Sequence, residues 1–291
     1  MANPRILIGT ATLYSRRAKN DNRYVLPSKV LNSAIKRLGF TEKSISAEIS
    51  NSDQFVVIRT RGISGEPELI RHPLDLVDKG IAAGVEALKT RGMIDMAHTC
   101  LIAVPRGSLT GAFTLVYEVV RRCGWSVLPL GGSVDGQDIS QLCNAYEVDT
   151  LVIAADALDS VFTSSMVGQF DGVRSLLYIS GIPPQRALDK IESEFPQIEV
   201  HPFLYLSDGT GPIGLPTQGG GNDDFDILEN VLVEVESTEG KITLNGSGRL
   251  LVSVLGLEQP TLIRRDIGDL GVLTTSDGGR QVVQLHGRNV L

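Results

Sequence analysis

From residue 55 onward, short apolar runs alternate with segments whose apolar positions recur at helical spacing. The continuous runs TCLIAVP (99–105), DTLVIAA (149–155) and VRSLLYIS (173–180) are typical of strands that are buried on both faces. PLDLVDKGIAAGVEALKTRG (73–92) and TGAFTLVYEVVRRCG (110–124) have the apolar spacing of helices, and each ends at a glycine. This alternation predicts right-handed crossovers and a mainly parallel sheet that is flanked by helices.

The pattern changes after Pro216. The glycine-rich, acidic stretch TQGGGNDDFD (217–226) predicts a surface loop, and ILENVLVEVES (227–237) begins a series of predicted strands joined by turn residues. Before this change, the pattern also predicts a helix over 156–168 and one strand, IEVHPFLYLS (198–207). The predicted fold class is therefore α/β, a mainly parallel sheet with flanking helices followed by a C-terminal antiparallel, barrel-like β subdomain.

These patterns divide the chain into three parts. Residues 1–50 form an N-terminal helical or irregular segment, in which LPSKVLNSAIKRLGF (26–40) has helical spacing. Residues 51–216 form the α/β core subdomain, and residues 217–291 form the β-rich subdomain. Ligands of such sheets bind beyond the carboxyl ends of the strands, so the loops that follow the strands are the predicted site.

Composition narrows the classes of partner. The chain is 42% hydrophobic, and its formal net charge is -7 with a sequence pI of about 5.2. This acidic balance predicts neither a nucleic-acid partner nor an anionic membrane surface, and no apolar run reaches the roughly 20 residues that span a bilayer. Cys100, Cys123 and Cys143 are widely spaced and form no CxxC pair, so we interpret them as buried thiols of a cytoplasmic protein.

Four segments, taken in order, resemble one family. The first, TRGISGEP (60–67), has the frame of a loop that reads approximately Ser-Ser-Gly-Thr-Thr-Gly-Lys-Pro. The others are CGWSVLPLGGSVDGQ, then YISGIPP with FLYLSDGTGPIG, and finally GRLLVSVLGLEQPTLIRRDIGDLGVL with VVQLHGR. Together, over residues 55–288, they resemble the adenylate-forming (AMP-dependent synthetase/ligase) superfamily, in particular its phenylacetate–CoA ligase-like branch. The resemblance implies a truncated large domain that lacks the family's small mobile C-terminal domain.

In that family the first loop binds the phosphates of ATP through backbone N–H groups, hydroxyls and a lysine. The resemblance assigns Gly62, Ser64 and Gly65 to phosphate binding, but Glu66 stands where the family has its lysine. A carboxylate near a polyphosphate is repulsive. Two alternatives remain for Arg61: its guanidinium binds phosphate as a catalytic group, or it forms an ion pair with Glu66.

The later segments supply the other candidate residues. The resemblance assigns Asp208 to Mg²⁺ and catalysis, Gly181 to the turn on the adenine side, Asp269 to the ribose hydroxyls and Arg288 to the end of the hinge. A single aspartate is enough for magnesium when substrate phosphates supply further ligands. The alternative for both Asp208 and Asp269 is an ordinary turn aspartate. Ile182 replaces the family's glutamate, which leaves that adenine contact in doubt.

Two functional hypotheses follow. The first is a degenerate stand-alone carboxylate-activating enzyme that uses ATP and Mg²⁺ on a small aromatic or acyl acid, with its missing lysine replaced by Arg61, by Arg106 or by a partner protein. The second is a non-adenylating descendant that binds an acyl or aromatic small molecule, either as a tailoring enzyme or as a non-catalytic subunit. The sequence alone does not decide whether the protein is an enzyme. A homodimer is compatible with the family resemblance.

Overall fold

The computed structural model describes residues 55–59, 69–90, 92–94, 99–105, 111–131, 135–255, 260–276 and 279–288. The predicted N-terminal helix and the predicted phosphate loop, residues 60–67, lie outside this range.

An antiparallel hairpin opens the described chain. Its strands are β1 (Phe55–Arg59) and β2 (Leu69–Pro73). Val56 pairs with His72 in the register of this hairpin. Because β2 leads directly into helix α1 (Leu74–Thr90), the hairpin is held against the first crossover helix.

The α/β part has the predicted alternation of strands and helices. The order of the five described parallel strands is β4-β3-β5-β6-β7. The strands are β3 (Thr99–Ala103), β4 (Ser126–Leu128), β5 (Thr150–Ala154), β6 (Ser175–Ile179) and β7 (Glu199–Pro202). The further helices are α2 (Gly111–Arg122), α3 (Gly136–Ala145), α4 (Leu158–Val161) and α5 (Gln185–Glu194).

The side chains of the parallel strands alternate between two cores. Leu151 and Ile153 of β5 belong to a cluster with residues of α3 and α5. Val152 points to the opposite face, into a cluster with residues of α1 and α2. Successive strand residues face opposite sides, so a strand covered by helices on both faces must be apolar throughout. This is why the buried strands have continuous apolar runs.

The C-terminal part is antiparallel, as predicted, and the predicted fold class is confirmed. The order of the eight described strands is β12-β11-β13-β14-β15-β10-β9-β8. They are β8 (Tyr205–Ser207), β9 (Gly211–Pro216), β10 (Asp224–Ile227), β11 (Val231–Glu236), β12 (Ile242–Thr243), β13 (Gly246–Leu255), β14 (Pro260–Thr275) and β15 (Gln281–Arg288).

Four element predictions were wrong. The predicted surface loop 217–226 ends in a strand, because β10 begins at Asp224. The segment 156–168 is not one helix, because the chain leaves helical geometry at Phe162 (φ -93°, ψ 73°) and that ring packs on Phe170 with its centroid 4.9 Å away. The segment 198–207 is two strands in different sheets; β7 ends at Pro202, which has no N–H to donate. The segment 227–237 is interrupted by a turn that the Val231 N–H closes on the Leu228 carbonyl (2.9 Å).

Helix α1 packs against both parts of the molecule. Ile81 belongs to the core between the helix and the parallel sheet, whereas Leu76 belongs to the core of the antiparallel sheet. Gly80 allows the close approach, because a Cβ at this position would lie 2.4 Å from the Cγ of Pro212 in β9. Any larger residue at Gly80 would push α1 away from β9.

Within the described residues, no helix is long and apolar enough to cross a bilayer. Cys100, Cys123 and Cys143 are free thiols. Cys123 is only half-buried, so the prediction that all three are buried was wrong for this residue.

Candidate functional site

Asp208 lies in the tight turn between β8 and β9. The Thr210 N–H donates to the Ser207 carbonyl (3.1 Å), and the Gly209 N–H donates to the Ser207 hydroxyl oxygen (3.3 Å). Asp208 is therefore a turn aspartate in a fixed position. This geometry is compatible with the metal-binding hypothesis, because a carboxylate on a rigid turn loses little freedom when it binds a ligand.

Asp269 lies on β14 and is only 6% exposed. Its Oδ2 atom accepts a hydrogen bond from the hydroxyl of Tyr205 at 3.0 Å. Tyr205 begins β8, three residues before Asp208. This hydrogen bond therefore links Asp269, the predicted ribose-binding residue, to the strand that precedes Asp208, the predicted metal ligand.

Two other predicted site residues lie around the same strands. Gly181 follows β6 with a φ of 128°, and the next residue, Ile182, packs on the cluster that contains Tyr205. The backbone of Arg288 pairs with Asp269 in the β14–β15 ladder. Arg61, Gly62, Ser64 and Gly65, which were predicted to bind phosphate, lie outside the described residues.

Arg265 is a site residue that sequence analysis did not single out. A Cβ on Gly209 would lie 2.7 Å from the Arg265 Nε atom, so this side chain crosses the turn beside Asp208. The β13–β14 register shifts near this point, and Arg264 has a positive φ of 48°. Such bulges re-aim side chains. No sequence motif gives the position of a bulge, and this explains why Arg265 was missed.

A cavity of about 240 Å³ opens beside Asp208. Its wall is formed by the hairpin, by α1 and the start of α2, and by the β8–β9 turn. Most of the side chains that line it are apolar, among them Ile58, Leu115, Leu206 and Val254. A concave apolar site with a few polar groups at one side is typical of a small-molecule pocket.

His72 is the second residue that sequence analysis missed. It is 6% exposed, lines the cavity, and its Nε2 atom lies 3.0 Å from the backbone carbonyl oxygen of Asp208. Burial lowers the pKa of His72 below its usual value of 6.5, and the charge of Arg265 acts in the same direction; the carbonyl and the charge of Asp208 oppose them. The ring is therefore neutral at pH 7. Histidine spacing gave no signal for this site.

The lowered pKa of His72 predicts a pH dependence of stability. The unfolded chain binds a proton near pH 6.5 and the folded chain at a lower pH, so the stabilisation is complete above 6.5 and declines as the pH falls below it. We expect a decline of up to about 1.4 kcal/mol per pH unit in this window. Urea unfolding of the wild type and of His72→Gln at pH 7.5 and 5.0 measures it; equal losses in the two proteins would contradict the assignment.

The described residues can hold a metal ion only if a bound ligand supplies further coordinating atoms. They contain no group of three or more His, Cys, Asp or Glu side chains that is placed to hold an ion. Mg²⁺ is usually bound by one or two carboxylates together with substrate phosphates. Asp208, which lines the cavity and lies beside the cation of Arg265, fits a metal that arrives with phosphates.

Comparison with known proteins gives a match to fold alone. No protein-family model matches the chain, and no curated protein matches it. Solved structures do match. One is the open conformation of 2-hydroxyisobutyryl-CoA ligase in complex with 2-HIB-AMP and CoA, with 17% identity over 91% of this chain and a TM-score of 0.60.

Two other solved structures have the same fold. ATP-bound MatB from Rhodopseudomonas palustris has 15% identity over 80% of this chain and a TM-score of 0.57. The luciferase-like enzyme from the nonluminescent Zophobas morio mealworm has 16% identity over 82% of this chain and a TM-score of 0.54. The chain spans 64%, 47% and 59% of the three matched chains, respectively. The chain therefore shares its fold with these solved structures.

Proposed function

We propose that the protein activates a small carboxylic acid with ATP and Mg²⁺. The observation that carries this proposal is the hydrogen bond from Tyr205 to Asp269, since it links the carboxylate that the resemblance assigns to ribose to the strand that ends directly before Asp208, the residue assigned to the metal. The apolar cavity beside Asp208 supplies a place for the hydrocarbon part of the acid. An aromatic or acyl acid, as in the phenylacetate–CoA ligase-like branch, fits such a wall.

Each described group has one task in this proposal. Asp269 accepts hydrogen bonds from the ribose hydroxyls, Asp208 binds Mg²⁺, and Gly181 keeps the bend on the adenine side open. The metal, when bound, neutralises phosphate charge. The acid's carboxylate oxygen forms the bond to the α-phosphorus and pyrophosphate leaves, with rate gained from positioning and charge neutralisation.

Arg265 supplies a positive charge for the phosphates in this proposal. Arg61, Arg106 and a partner protein are the predicted replacements for the family's lysine, and the two arginines lie outside the described residues. Arg265 lies beside the Asp208 turn, and its guanidinium is well suited to phosphate. In this proposal, the positive charge of Arg265 offsets the repulsion between the carboxylate of Glu66 and the phosphates of ATP.

Removing the Arg265 guanidinium is expected to weaken ATP–Mg²⁺ binding about 10-fold, because a hydrogen bond to a charged group contributes about 1.5–3 kcal/mol. Adenosine, which has no phosphate, is expected to bind Arg265→Ala as well as it binds the wild type. Calorimetric titration measures both affinities. Arg280→Ala, which removes an exposed arginine that is paired with Asp226, is the control for the change in net charge. Equal losses in the two variants would count against a phosphate role for Arg265.

The second candidate function is a non-adenylating small-molecule binder. It is favoured by the burial of Asp269, which is 6% exposed and already accepts the Tyr205 hydroxyl. To reach this carboxylate, a ribose would have to displace side chains that now cover it. The cavity itself does not depend on ATP and would serve either function.

Exchange of labelled pyrophosphate into ATP separates the two candidates. We expect exchange that depends on an added acid, in a panel of small aromatic and aliphatic carboxylates. Acid binding without exchange, at saturating ATP–Mg²⁺, would favour the non-adenylating binder.

A further inference from the structure

The hairpin β1–β2 has one face on which large apolar side chains are exposed. Phe55 pairs with Pro73, and Arg59 pairs with Leu69, so these side chains lie on the same face of the hairpin. Phe55 is 41% exposed and Leu69 is 62% exposed. Leu74, which directly follows Pro73, is 38% exposed. Phe55, Leu69 and Leu74 form the outer hairpin face, an apolar surface that the rest of the described chain leaves open to solvent.

The opposite face of the hairpin is part of the cavity wall. Val56, Ile58 and His72 alternate with the residues of the outer hairpin face and line the cavity. Among the described strands, β1 and β2 form a two-stranded sheet of their own. An isolated two-stranded hairpin is only marginally stable in water. Packing against the outer hairpin face would therefore stabilise one wall of the cavity.

We propose that the N-terminal segment 26–40 docks on the outer hairpin face as an amphipathic helix. LPSKVLNSAIKRLGF has apolar residues at helical spacing, among them Leu31, Ile35 and Leu38. A helix with one apolar stripe is stable in a protein when that stripe is buried against an apolar surface. The outer hairpin face is such a surface, and it begins at Phe55, where the chain that carries the segment enters the described structure. The inference does not depend on ATP or on acid activation.

The lengths of the two elements and of the linker agree with this docking. As a helix, residues 26–40 are about 22 Å long, and a five-residue strand of the hairpin is about 17 Å long. One helix therefore covers the whole outer hairpin face. Residues 41–54 connect the segment to Phe55, and an extended chain of this length reaches about 45 Å. The linker is long enough for the helix to fold back along the hairpin.

Charge complementarity favours a segment of this chain as the occupant. Residues 1–40 contain eight Lys and Arg residues and one Asp, whereas the whole chain has a net charge of -7. Residues 1–40 therefore carry a net charge of +7, and residues 41–291 carry -14. Asp75, which is exposed, directly follows Leu74 at the edge of the outer hairpin face. Opposite charges attract the segment to this surface over a distance of about 8–10 Å at ordinary ionic strength.

Amide hydrogen exchange of the full chain tests the proposal with Leu69→Asp and a matched control. We expect the amides of residues 26–40 to exchange slowly in the wild type, and about 10-fold faster in Leu69→Asp, because the variant places a charge against the apolar stripe of the helix. Val167→Asp puts the same charge at another exposed apolar position and is expected to leave this exchange unchanged. Fast exchange of residues 26–40 in the wild type, or equal effects of the two variants, would overturn the proposal. So would a change of oligomeric state in Leu69→Asp without a change in this exchange, which would identify a second copy of the chain as the occupant.

Disulfide cross-linking decides the matter if Leu69→Asp fails to fold. Leu69→Cys is combined with Leu31→Cys, Ile35→Cys or Leu38→Cys on the apolar stripe, and with Ser33→Cys on the polar side as the control. A disulfide forms only when the two Cα atoms come within about 7 Å of each other, so we expect at least one stripe position to form an intramolecular link several times faster than Ser33→Cys. Mass spectrometry of the linked peptides measures the yields. Equal rates at all four positions would refute the docking.

Discussion

Replacing Glu234 with glutamine is expected to lower the free energy of unfolding by about 3–5 kcal/mol, the usual cost of breaking a buried ion pair. The Glu234 side chain on β11 is fully buried and that of Arg264 on β14 is 8% exposed. Arg264 Nε and one terminal nitrogen each donate to a different Glu234 carboxylate oxygen at 2.7 Å. Glutamine has nearly the same size, so the loss reports an uncompensated buried charge rather than a cavity. Urea unfolding measures it.

The double variant Glu234→Gln/Arg264→Met is the control for this prediction. It removes both charges, and pairs replaced in this way are often neutral in stability. We therefore expect it to be more stable than Glu234→Gln alone. Additive losses would show that the two side chains act independently and that the pair does not hold β11 to β14. Arg264 has a positive φ of 48° and directly precedes Arg265, so under the proposed function we expect nucleotide affinity to fall in the single variant.

Asp269→Ala is expected to weaken the binding of ATP and AMP by about 100-fold, because two hydrogen bonds from ribose hydroxyls to a charged acceptor are lost. Calorimetric titration of the purified variant measures this. Asp269 is also buried and bonded to Tyr205, so the substitution leaves a tyrosine hydroxyl without its acceptor. Some loss of stability is therefore expected with the loss of affinity.

Tyr205→Phe separates the two effects. It removes the same hydrogen bond and keeps the carboxylate, so stability falls by about 1–3 kcal/mol while nucleotide affinity stays within a few-fold of the wild type. If Tyr205→Phe loses nucleotide binding to the same degree as Asp269→Ala, the carboxylate acts through structure and does not bind ribose.

The parallel half of the fold was predictable because its strands are covered on both faces. Leu151, Val152 and Ile153 are apolar for that reason, and the run marks the strand without ambiguity. The antiparallel half was predicted as a series of strands joined by turns, but the point at which it begins was not predicted. Short-range spacing does not indicate that the chain leaves the parallel sheet after Pro202, since the apolar run continues into β8, which pairs antiparallel with β9.

Candidate site residues were predictable where a motif indicated them and not elsewhere. Asp208 and Asp269 are predicted by position in a family pattern, and the structure bonds Asp269 to Tyr205 on the strand that precedes Asp208. His72 and Arg265 became visible only in three dimensions. The His72 bond to Asp208 spans 136 residues, and the position of Arg265 depends on a bulge. Patterns of neighbouring residues contain no record of such contacts.

The most direct test of nucleotide-dependent function is a calorimetric titration of the wild-type chain with ATP–Mg²⁺ and, separately, with AMP. The proposal predicts saturable binding of both, with dissociation constants below about 1 mM. The absence of binding of either nucleotide at millimolar concentration would contradict it, and would leave the cavity as the site of a protein that binds its small molecule without activating it.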